Sequence, residues 1–247
     1  YEFSVYQSEP ENAKSISDNH ILCIAEDKAG FLWIGTNNGL NRFDQSANTF
    51  KRYLHNNKDL TSLSHNMILS LYVDEEDNLW IGTTNSLSRY NRETDIFEQI
   101  IIADMADEAI NTITGYEGKL YLGTQSKGVI VYDLKDKKHA TYKTKGETPL
   151  NDIRALYIDS NENLWIGMHH DGIVLLNKNR QYLTTYNKST GLSNEYIRCI
   201  AESPEGNILV GTFNGLNIIN PKSSKITQYK TYDSLSGNLS HYSIYSI

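Results

Sequence analysis

The chain has few cysteines and prolines, and it has no long apolar segment. Its 247 residues include only two cysteines and four prolines. No low-complexity linker divides the sequence, so its length fits one domain or one continuous repeat array. No apolar run approaches the roughly 20 residues that a membrane-spanning helix needs. These absences favour a chain that buries one extended core.

Positive charge is also sparse and scattered. The net charge is −7 and the isoelectric point is near 5.5. Apart from the looser stretch 135–138, no cluster of lysine and arginine is longer than two residues. Nucleic acids and anionic membranes are therefore poor candidates for partners. The first residue is Tyr1 rather than Met, which indicates a trimmed fragment, so a missing signal peptide carries no information about export.

What the chain does have is a short motif in which apolar and aromatic residues precede a glycine. The five copies are Leu32–Thr36, Leu79–Thr83, Leu120–Thr124, Leu164–Met168 and Ile208–Thr212. The intervals between Gly35, Gly82, Gly123, Gly167 and Gly211 are 47, 41, 44 and 44 residues. A period of about 40–45 residues with four strands per unit is typical of a β-propeller blade.

The first repeat illustrates how four strands fit into one period. Residues 21–26 are short and apolar, which predicts an inner strand buried on both faces. After a turn, residues 31–35 form the second strand. Residues 40–43 alternate as a half-exposed third strand, and 50–53 form a more polar outer strand. The decline in apolar character fits a blade that runs from hub to rim, so we predict an all-β propeller with almost no helix.

Equivalent positions in the repeat predict equivalent roles. The tryptophans at matching positions, which we expect to be buried between neighbouring blades, are Trp33, Trp80 and Trp165. Cys23 and Cys199 both lie twelve residues before the glycine of their repeat, where other copies have small residues such as Ser70. We therefore interpret both cysteines as free, tightly packed side chains rather than as a disulfide. Cysteine usage then does not reveal the redox compartment.

At both ends of the chain, the repeats leave a predicted strand that does not belong to a complete blade. The predicted repeats cover approximately residues 16–54, 63–99, 108–142, 150–186 and 192–229, with the start of a further repeat at 239–247. Residues 1–6 resemble an outer strand with no blade before it. Unpaired sheet edges recruit other strands. We therefore expect a fragment of a longer protein that either self-associates, for example as a homodimer, or leaves a gap in the ring.

The pattern Asp-x-x-Gly-x-Leu-Trp-Ile-Gly-Thr-x-x-Gly-Leu of residues 27–40 resembles the two-component regulator propeller repeat. The Leu-Ser-x-Asn-x-Ile pattern of residues 63–68 also fits this family. Departures from the pattern are Met168 for Thr, Leu209 for Trp and Ser86 for Gly. The resemblance implies a seven-bladed parent propeller and the periplasmic sensor region of a hybrid two-component regulator. It also implies a parent chain with an Ig-like domain, a membrane helix, a histidine kinase and a response regulator.

Such sensors typically occur in polysaccharide-degrading gut bacteria, so the resemblance implies an oligosaccharide or polysaccharide fragment as the ligand. It implies membrane attachment only through parts that this sequence lacks. We find no nucleophile elbow, phosphate loop or metal-ligand spacing, and we expect no catalytic residue, metal or cofactor. Two alternatives stay open. One is a secreted propeller-type polysaccharide lyase or hydrolase, and the other is a non-catalytic interaction scaffold.

If this module binds the ligand directly, the loops between second and third strands are the best candidates. The residues proposed as ligand contacts are Asn37, Asn38, His169, His170 and Asn214. They occupy one position of the repeat, so we expect them on one side of the disc. Adjacent residues in a strand point to opposite sides, so joint metal ligation by His169 and His170 is not expected. Asn and Asp are also ordinary turn residues, which is the alternative role of these side chains.

Overall fold

The computed structural model describes residues 3–103, 105–142, 150–229 and 243–247. These residues form β-strands and one short 3₁₀ turn, Lys188–Thr190. The strands assemble into five four-stranded sheets, each a meander whose hydrogen-bonded neighbours are consecutive in sequence. The prediction of an all-β fold built of four-stranded propeller blades is therefore confirmed.

The strands of each sheet follow in chain order. The first sheet contains β1 (Ile21–Glu26), β2 (Leu32–Thr36), β3 (Gly39–Asp44) and β4 (Thr49–Tyr53). The second contains β5 (Ile68–Val73), β6 (Leu79–Thr83), β7 (Leu87–Asn91) and β8 (Ile96–Ile100). The third contains β9 (Ile110–Tyr116), β10 (Lys119–Thr124), β11 (Val129–Asp133) and β12 (His139–Tyr142). The fourth contains β13 (Ile153–Ile158), β14 (Leu164–Met168), β15 (Ile173–Leu176) and β16 (Tyr182–Tyr186). The fifth contains β17 (Ile197–Glu202), β18 (Ile208–Thr212), β19 (Gly215–Ile219) and β20 (Ile226–Tyr229).

The chain divides into two compact units, Tyr1–Gly115 and Tyr116–Ile247. In the first unit, Trp33, Leu63 and Ile81 belong to one buried apolar cluster. In the second unit, Trp165 packs with Ile197 and Val210 in another. Both clusters combine residues of consecutive sheets, and Trp33, Trp80 and Trp165 are almost completely buried, as the sequence predicts.

The motif glycine is required because the next sheet packs directly onto it. A Cβ added to Gly35 would lie 2.7 Å from the side chain of Ile68, the first residue of β5. The Cys23 thiol faces the same strand, 3.7 Å from the Ile68 carbonyl oxygen. The Ser70 hydroxyl donates to the Ile110 carbonyl at 2.9 Å in the same way. The small-residue position is therefore a contact between sheets, and both cysteines are free.

The first inner strand differs from the prediction of burial on both faces. Ile21 is 44% exposed, and Leu22 and Ile24 are exposed as well. The equivalent first residues of β5 and β17, Ile68 and Ile197, are fully buried because each packs on the glycine of the preceding sheet. Among the described residues, no earlier sheet packs against β1 in this way.

The flanking segments also differ from the predicted strands. Residues 3–6 form no strand, and the Tyr6 ring instead packs edge-on against Phe43 at 5.0 Å. A strand requires a hydrogen-bonded partner, and the described residues offer none here. Residues 239–242 of the trailing segment lie outside the described residues. Residues 243–247 have no assigned strand, although the Ile244 amide donates to the Thr212 carbonyl at 3.0 Å.

Candidate functional site

The predicted contact loops share one backbone contact within their sheets. The first residue of each loop donates its amide to the carbonyl of the residue that precedes the sheet's first strand. Asn37 donates to His20 at 3.2 Å, His169 to Asp152 at 3.0 Å, and Phe213 to Tyr196 at 3.1 Å. The loop between second and third strands is therefore fixed beside the entry to the inner strand.

Asn37 and Asn38 lie in the first unit, and the other candidates lie in the second. Asn37 is half-buried and Asn38 is exposed. The Asn38 amide donates to the Thr36 hydroxyl at 3.1 Å, a turn contact that fixes the backbone. Within the described residues, no hydrogen bond involves the side chain of either asparagine. The histidine beside this loop is the exposed His20, whose Nδ1 lies 3.2 Å from Asp18 Oδ1.

In the second unit, the two histidines are neighbours in space as well as in sequence. The ring centroids of His169 and His170 are 4.3 Å apart, and His169 Nδ1 lies 3.0 Å from His170 Nε2. The expectation that the two side chains diverge is therefore wrong. Both residues lie in the loop after β14, where the backbone no longer alternates as a strand does. Asn214 occupies the corresponding loop after β18, and its amide donates to the Thr212 hydroxyl at 3.1 Å.

Two aromatic rings extend the histidine pair. The Tyr196 ring is in edge contact with His169 at 5.1 Å and with His170 at 4.7 Å. Phe213 lies 6.2 Å from Tyr196, and its side chain is 54% exposed. A contiguous group of exposed aromatic rings, unlike a single exposed ring, is typical of an interaction site. The result is a continuous row of four rings open to solvent.

An arginine lies beneath each end of this row. Arg154 Nε lies 2.7 Å from Asp152 Oδ1, and Asp152 Oδ2 lies 3.2 Å from His169 Nδ1. The guanidinium of Arg198 stacks over the Phe213 ring at 5.3 Å and over Tyr245 at 4.0 Å. We call His169, His170, Tyr196, Arg198 and Phe213 the histidine–aromatic surface.

The electrostatics of this surface disfavour a protonated His169. Partial burial lowers its pKa from the ordinary value, and the positive charges of Arg154 and Arg198 act in the same direction. Asp152 opposes them but does not reverse the shift. At neutral pH, His169 is therefore an uncharged ring with positively charged neighbours. Such a ring can donate or accept a hydrogen bond.

The chemistry of this surface is that of binding. Imidazole, amide and phenol groups can hydrogen-bond hydroxyl groups, while the exposed ring faces can cover an apolar sugar face. Arginine adds a site for a carboxylate or sulfate. Within the described residues, no group of three or more His, Cys, Asp or Glu side chains could hold a metal ion.

Sequence reasoning missed Tyr196, Arg154 and Arg198 as members of the site. Arg154 and Arg198 occupy one position of the repeat, directly before the small inner-strand residue, where Leu22 stands in the first repeat. That recurrence was the available signal. Because the contacting residues His169, Tyr196 and Phe213 are 27 and 17 positions apart in the sequence, linear motif searches do not join them.

Comparison with known proteins finds a family-model match in four segments of the chain. The sequence model of the two component regulator propeller matches residues 15–38, 62–85, 149–170 and 191–214. A segment of 46 residues is 46% identical to Histidine kinase P4 of Formosa agariphila, covering 19% of this chain and 3% of that protein.

Solved structures share the fold over most of the chain. The extracellular domain assigned to the hybrid two component system BT3049 of B. thetaiotaomicron matches with a TM-score of 0.79 and 25% identity over 95% of this chain. The extracellular domain of BT4673 from the same organism, assigned to a one component system, matches with a TM-score of 0.73 and 25% identity over 90%. This chain spans 31% and 32% of those two chains. Virginiamycin B lyase from Staphylococcus aureus, 16% identical with a TM-score of 0.70, covers 90% of this chain, is itself covered to 74%, and shares the fold alone. Among the described residues, no helix is long and apolar enough to cross a membrane.

Proposed function

Because the chain is built of two component regulator propeller repeats, we propose that it is an extracytoplasmic sensor region of a hybrid two-component regulator. In this proposal it binds an oligosaccharide through the histidine–aromatic surface. Binding is relayed to a histidine kinase elsewhere in the parent chain. The ligand occupies the exposed rings of the second unit, and Arg198 meets a carboxylate or sulfate where the sugar carries one.

The similarity to extracellular domains of B. thetaiotaomicron regulators supports the sensor role and the extracytoplasmic location. The segment shared with a histidine kinase supports the kinase in the parent chain. These relatives are much longer than this chain, so the signalling output is proposed for the parent protein.

The observation that carries the binding proposal is the row of rings from His169 to Phe213. Its members come from two consecutive sheets and remain open to solvent, which a purely structural cluster does not require. Amide, imidazole and phenol groups next to exposed rings suit sugar hydroxyls and the apolar faces of sugar rings. Asn214 adjoins Phe213 in the same loop and adds a further amide.

Calorimetry on this chain tests the proposal. The probes are short neutral, uronic-acid-containing and sulfated oligosaccharides. We expect at least one to bind and Phe213→Ala to weaken its affinity by about tenfold, since truncation of a central aromatic contact typically costs 1–2 kcal/mol or more. His169→Ala and His170→Ala should weaken it as well.

A matched control separates a site effect from a general loss of exposed aromatic area. Tyr182→Ala removes an exposed aromatic side chain of β16 in the same unit, and it should leave the affinity unchanged. Asn38→Ala tests the first-unit loop in the same way. Equal affinity of the Phe213→Ala and wild-type chains would move the ligand site elsewhere.

The alternative of a polysaccharide lyase or hydrolase predicts turnover. Incubation of the chain with the same oligosaccharides and their parent polysaccharides, followed by product chromatography, distinguishes the two functions. A sensor returns the sugar intact, whereas cleaved or unsaturated products would contradict the sensor proposal. Binding without turnover and without any kinase in the full-length gene would instead favour an interaction scaffold.

A further inference from the structure

The first unit contains a cavity that the repeat pattern does not predict. Its volume is about 400 Å³, and it lies between the β4–β5 linker, the β8–β9 linker and the loop after β6. Asn57, Asp59, Ser86, Met105 and Asp107 are among the residues that line it. Small-molecule sites typically have volumes of 300–1,000 Å³, so this cavity is large enough for a small ligand.

Ser86, one of the residues that line the cavity, stands where other repeats have a glycine. The equivalent residues Gly39, Gly128 and Gly172 all have positive φ. A Cβ on Gly39 would lie 2.9 Å from the Tyr53 carbonyl oxygen, and one on Gly128 would lie 2.8 Å from the Leu150 carbonyl oxygen. A backbone carbonyl therefore lies directly on each of these two glycines, whereas Ser86 carries a side chain at this position of the second repeat.

The backbone amide of Ser86 also differs in its hydrogen bond from the amides of the equivalent glycines. Gly39 donates its amide to the Asn66 carbonyl at 2.6 Å, and Gly172 donates to the Glu195 carbonyl at 3.1 Å. These acceptors are two residues before the next inner strand. The Ser86 amide instead donates to the Thr83 hydroxyl of its own loop at 3.2 Å. The cavity lies between this hairpin and the β8–β9 linker.

The cavity has an aliphatic floor and an acidic rim. The floor consists of buried Leu87, Ile102, Met105 and Ile110. At the rim, Asp59 and Asp107 are exposed. The Thr61 hydroxyl and amide donate to Asp59 and lower its pKa, so this carboxylate stays ionised.

The residue types that are absent from the cavity lining limit the class of ligand that can bind. None of the described residues around the cavity is lysine, arginine, phenylalanine, tyrosine or tryptophan. The one imidazole, that of His55, already contacts the Leu63 carbonyl oxygen at 2.5 Å through Nδ1 and the Asn57 side chain at 2.6 Å through Nε2. The described lining therefore offers no lysine or arginine for an anionic ligand and no benzene or indole ring on which a sugar could stack.

We propose that this cavity binds a small aliphatic primary amine, with the hydrocarbon part on Leu87, Ile102 and Met105 and the ammonium group between Asp59 and Asp107. The apolar floor supplies burial for the alkyl chain. The two carboxylates supply charge-assisted acceptors for the ammonium. The site is separate from the histidine–aromatic surface and does not depend on its function.

Methionine methyl NMR tests the proposal directly. The chain has three methionines, of which Met105 lines the cavity, while Met67 and Met168 do not line it. The probes are hexylammonium, hexanol and hexanoate. We expect saturable shifts of the Met105 methyl signal with hexylammonium, an unmoved Met168 signal, and affinity on the order of tenfold weaker for hexanoate because like charges repel.

Isosteric variants test which carboxylates bind the ammonium group. Asp107 has φ +58°, a conformation that asparagine tolerates, so Asp107→Asn should fold normally. It should weaken hexylammonium by about two- to fivefold, as expected for one exposed charge pair. Asp59→Asn should act similarly. Glu93→Gln removes an exposed carboxylate of the same unit that does not line this cavity, and it should have no effect.

Three outcomes would overturn the proposal. They are a Met105 signal that does not respond to hexylammonium, equal affinity for hexanol or hexanoate, and unchanged affinity in the Asp59→Asn/Asp107→Asn double variant. Retained dispersion of the other methyl signals shows that the variant is folded, so a loss of binding can be assigned to the site.

Discussion

The indole Nε1 of Trp165 donates a hydrogen bond of 2.8 Å to Asp159 Oδ2, and both residues are buried. Asp159 also accepts the amides of Asn161 at 2.9 Å and Asn163 at 2.8 Å, which closes the turn between β13 and β14. One carboxylate therefore fixes the turn and orients the largest side chain of the sheet.

The same pair recurs wherever both residues occur. Trp33 donates to Asp27 at 2.7 Å, and Trp80 donates to Asp74 at 2.8 Å. In the fifth repeat both partners change together, to Ser203 and Leu209. A buried indole N–H needs an acceptor, and a buried carboxylate needs donors, so losing only one partner is costly.

This coupling predicts non-additive mutations in the fourth repeat. Asp159→Ser should destabilise the chain by about 2–3 kcal/mol because it leaves the Trp165 N–H buried with a weaker acceptor or none. The double variant Asp159→Ser/Trp165→Leu, which reproduces the fifth repeat, should cost about 1–2 kcal/mol less than the sum of the single variants. Chemical denaturation of the four chains measures the coupling.

An exposed residue provides the control for this cycle. Lys178→Ala, combined with Trp165→Leu, should give strictly additive costs, since Lys178 lies at the surface. If the Asp159 and Trp165 changes were also additive to within about 0.5 kcal/mol, the hydrogen bond would not couple the two residues.

The motif glycine gives a second prediction. A Cβ on Gly82 would lie 2.7 Å from the Ile110 carbonyl oxygen and closer still to the Ser70 hydroxyl. Gly82→Ala should therefore cost about 1–3 kcal/mol, because it forces two sheets apart. Gly30→Ala is the matched control. It has a positive φ but no atom within 4 Å of the added Cβ, so only backbone strain of about 1 kcal/mol applies. Thermal unfolding would contradict the interpretation if Gly30→Ala were the more damaging change.

The repeat made the fold predictable because each copy carries the same local information. The glycine of the motif, the buried tryptophan and the small inner-strand residue could be placed from one repeat and transferred to the others. Burial of β1 could not be predicted in this way. The exposure of Ile21 depends on which sheet lies against it, and a strand's own sequence does not contain that information.

The candidate site was predictable only in part. Loop positions follow from the repeat, so His169, His170 and Asn214 were found. Tyr196 and Arg198 join them only through tertiary contact. Ser86 was interpreted from the sequence as a tolerable departure from glycine, and the cavity beside it could not be predicted because it depends on the path of a linker. The placement of Asn37 and Asn38 relative to the second unit stays a prediction.

Acid should weaken the first unit through Asp27. Burial alone would raise the pKa of this carboxyl, but hydrogen bonds from Arg92 and Trp33 outweigh it and hold the pKa below the ordinary value of 3.8. The stabilisation by the ionised Asp27 carboxylate is fully present above pH 3.8. It is lost as the pH falls through the lower pKa of the folded state. Asp27→Asn should therefore unfold more easily at neutral pH and lose less stability between about pH 4 and pH 2. Denaturation midpoints across this range, with Glu93→Gln as the control, measure the difference. An unchanged acid slope would rule out Asp27 as its source.

The two thiols should resist alkylation in the folded chain. Burial raises the pKa of Cys23 to about 12 and that of Cys199 to about 11, so neither forms the reactive thiolate near neutral pH. Iodoacetamide at mild alkaline pH should label both cysteines rapidly in urea and slowly without it. Cys23→Ser should remain close to wild type in stability, because Ser70 makes the equivalent contact in the second repeat. Rapid labelling of native Cys23 would contradict the packed interpretation.

Titration of His169 gives the last prediction. Burial lowers its pKa, and the nearby charge of Arg154 lowers it further, while Asp152 opposes the shift. The unfolded chain therefore binds this proton at a higher pH than the folded chain does. The stability that depends on an uncharged His169 is fully present above pH 6.5, the ordinary pKa of histidine. It is lost as the pH falls through the pKa of the folded state. Arg154→Gln should raise the pKa of His169, because it removes a positive charge near the imidazole and leaves the neighbouring Asp152 carboxylate without its arginine partner. Arg180→Gln, which removes an arginine elsewhere in the same unit, should leave it unchanged. Histidine NMR titration of the three chains measures both effects, and a His169 pKa that is insensitive to Arg154 would show that burial alone sets it.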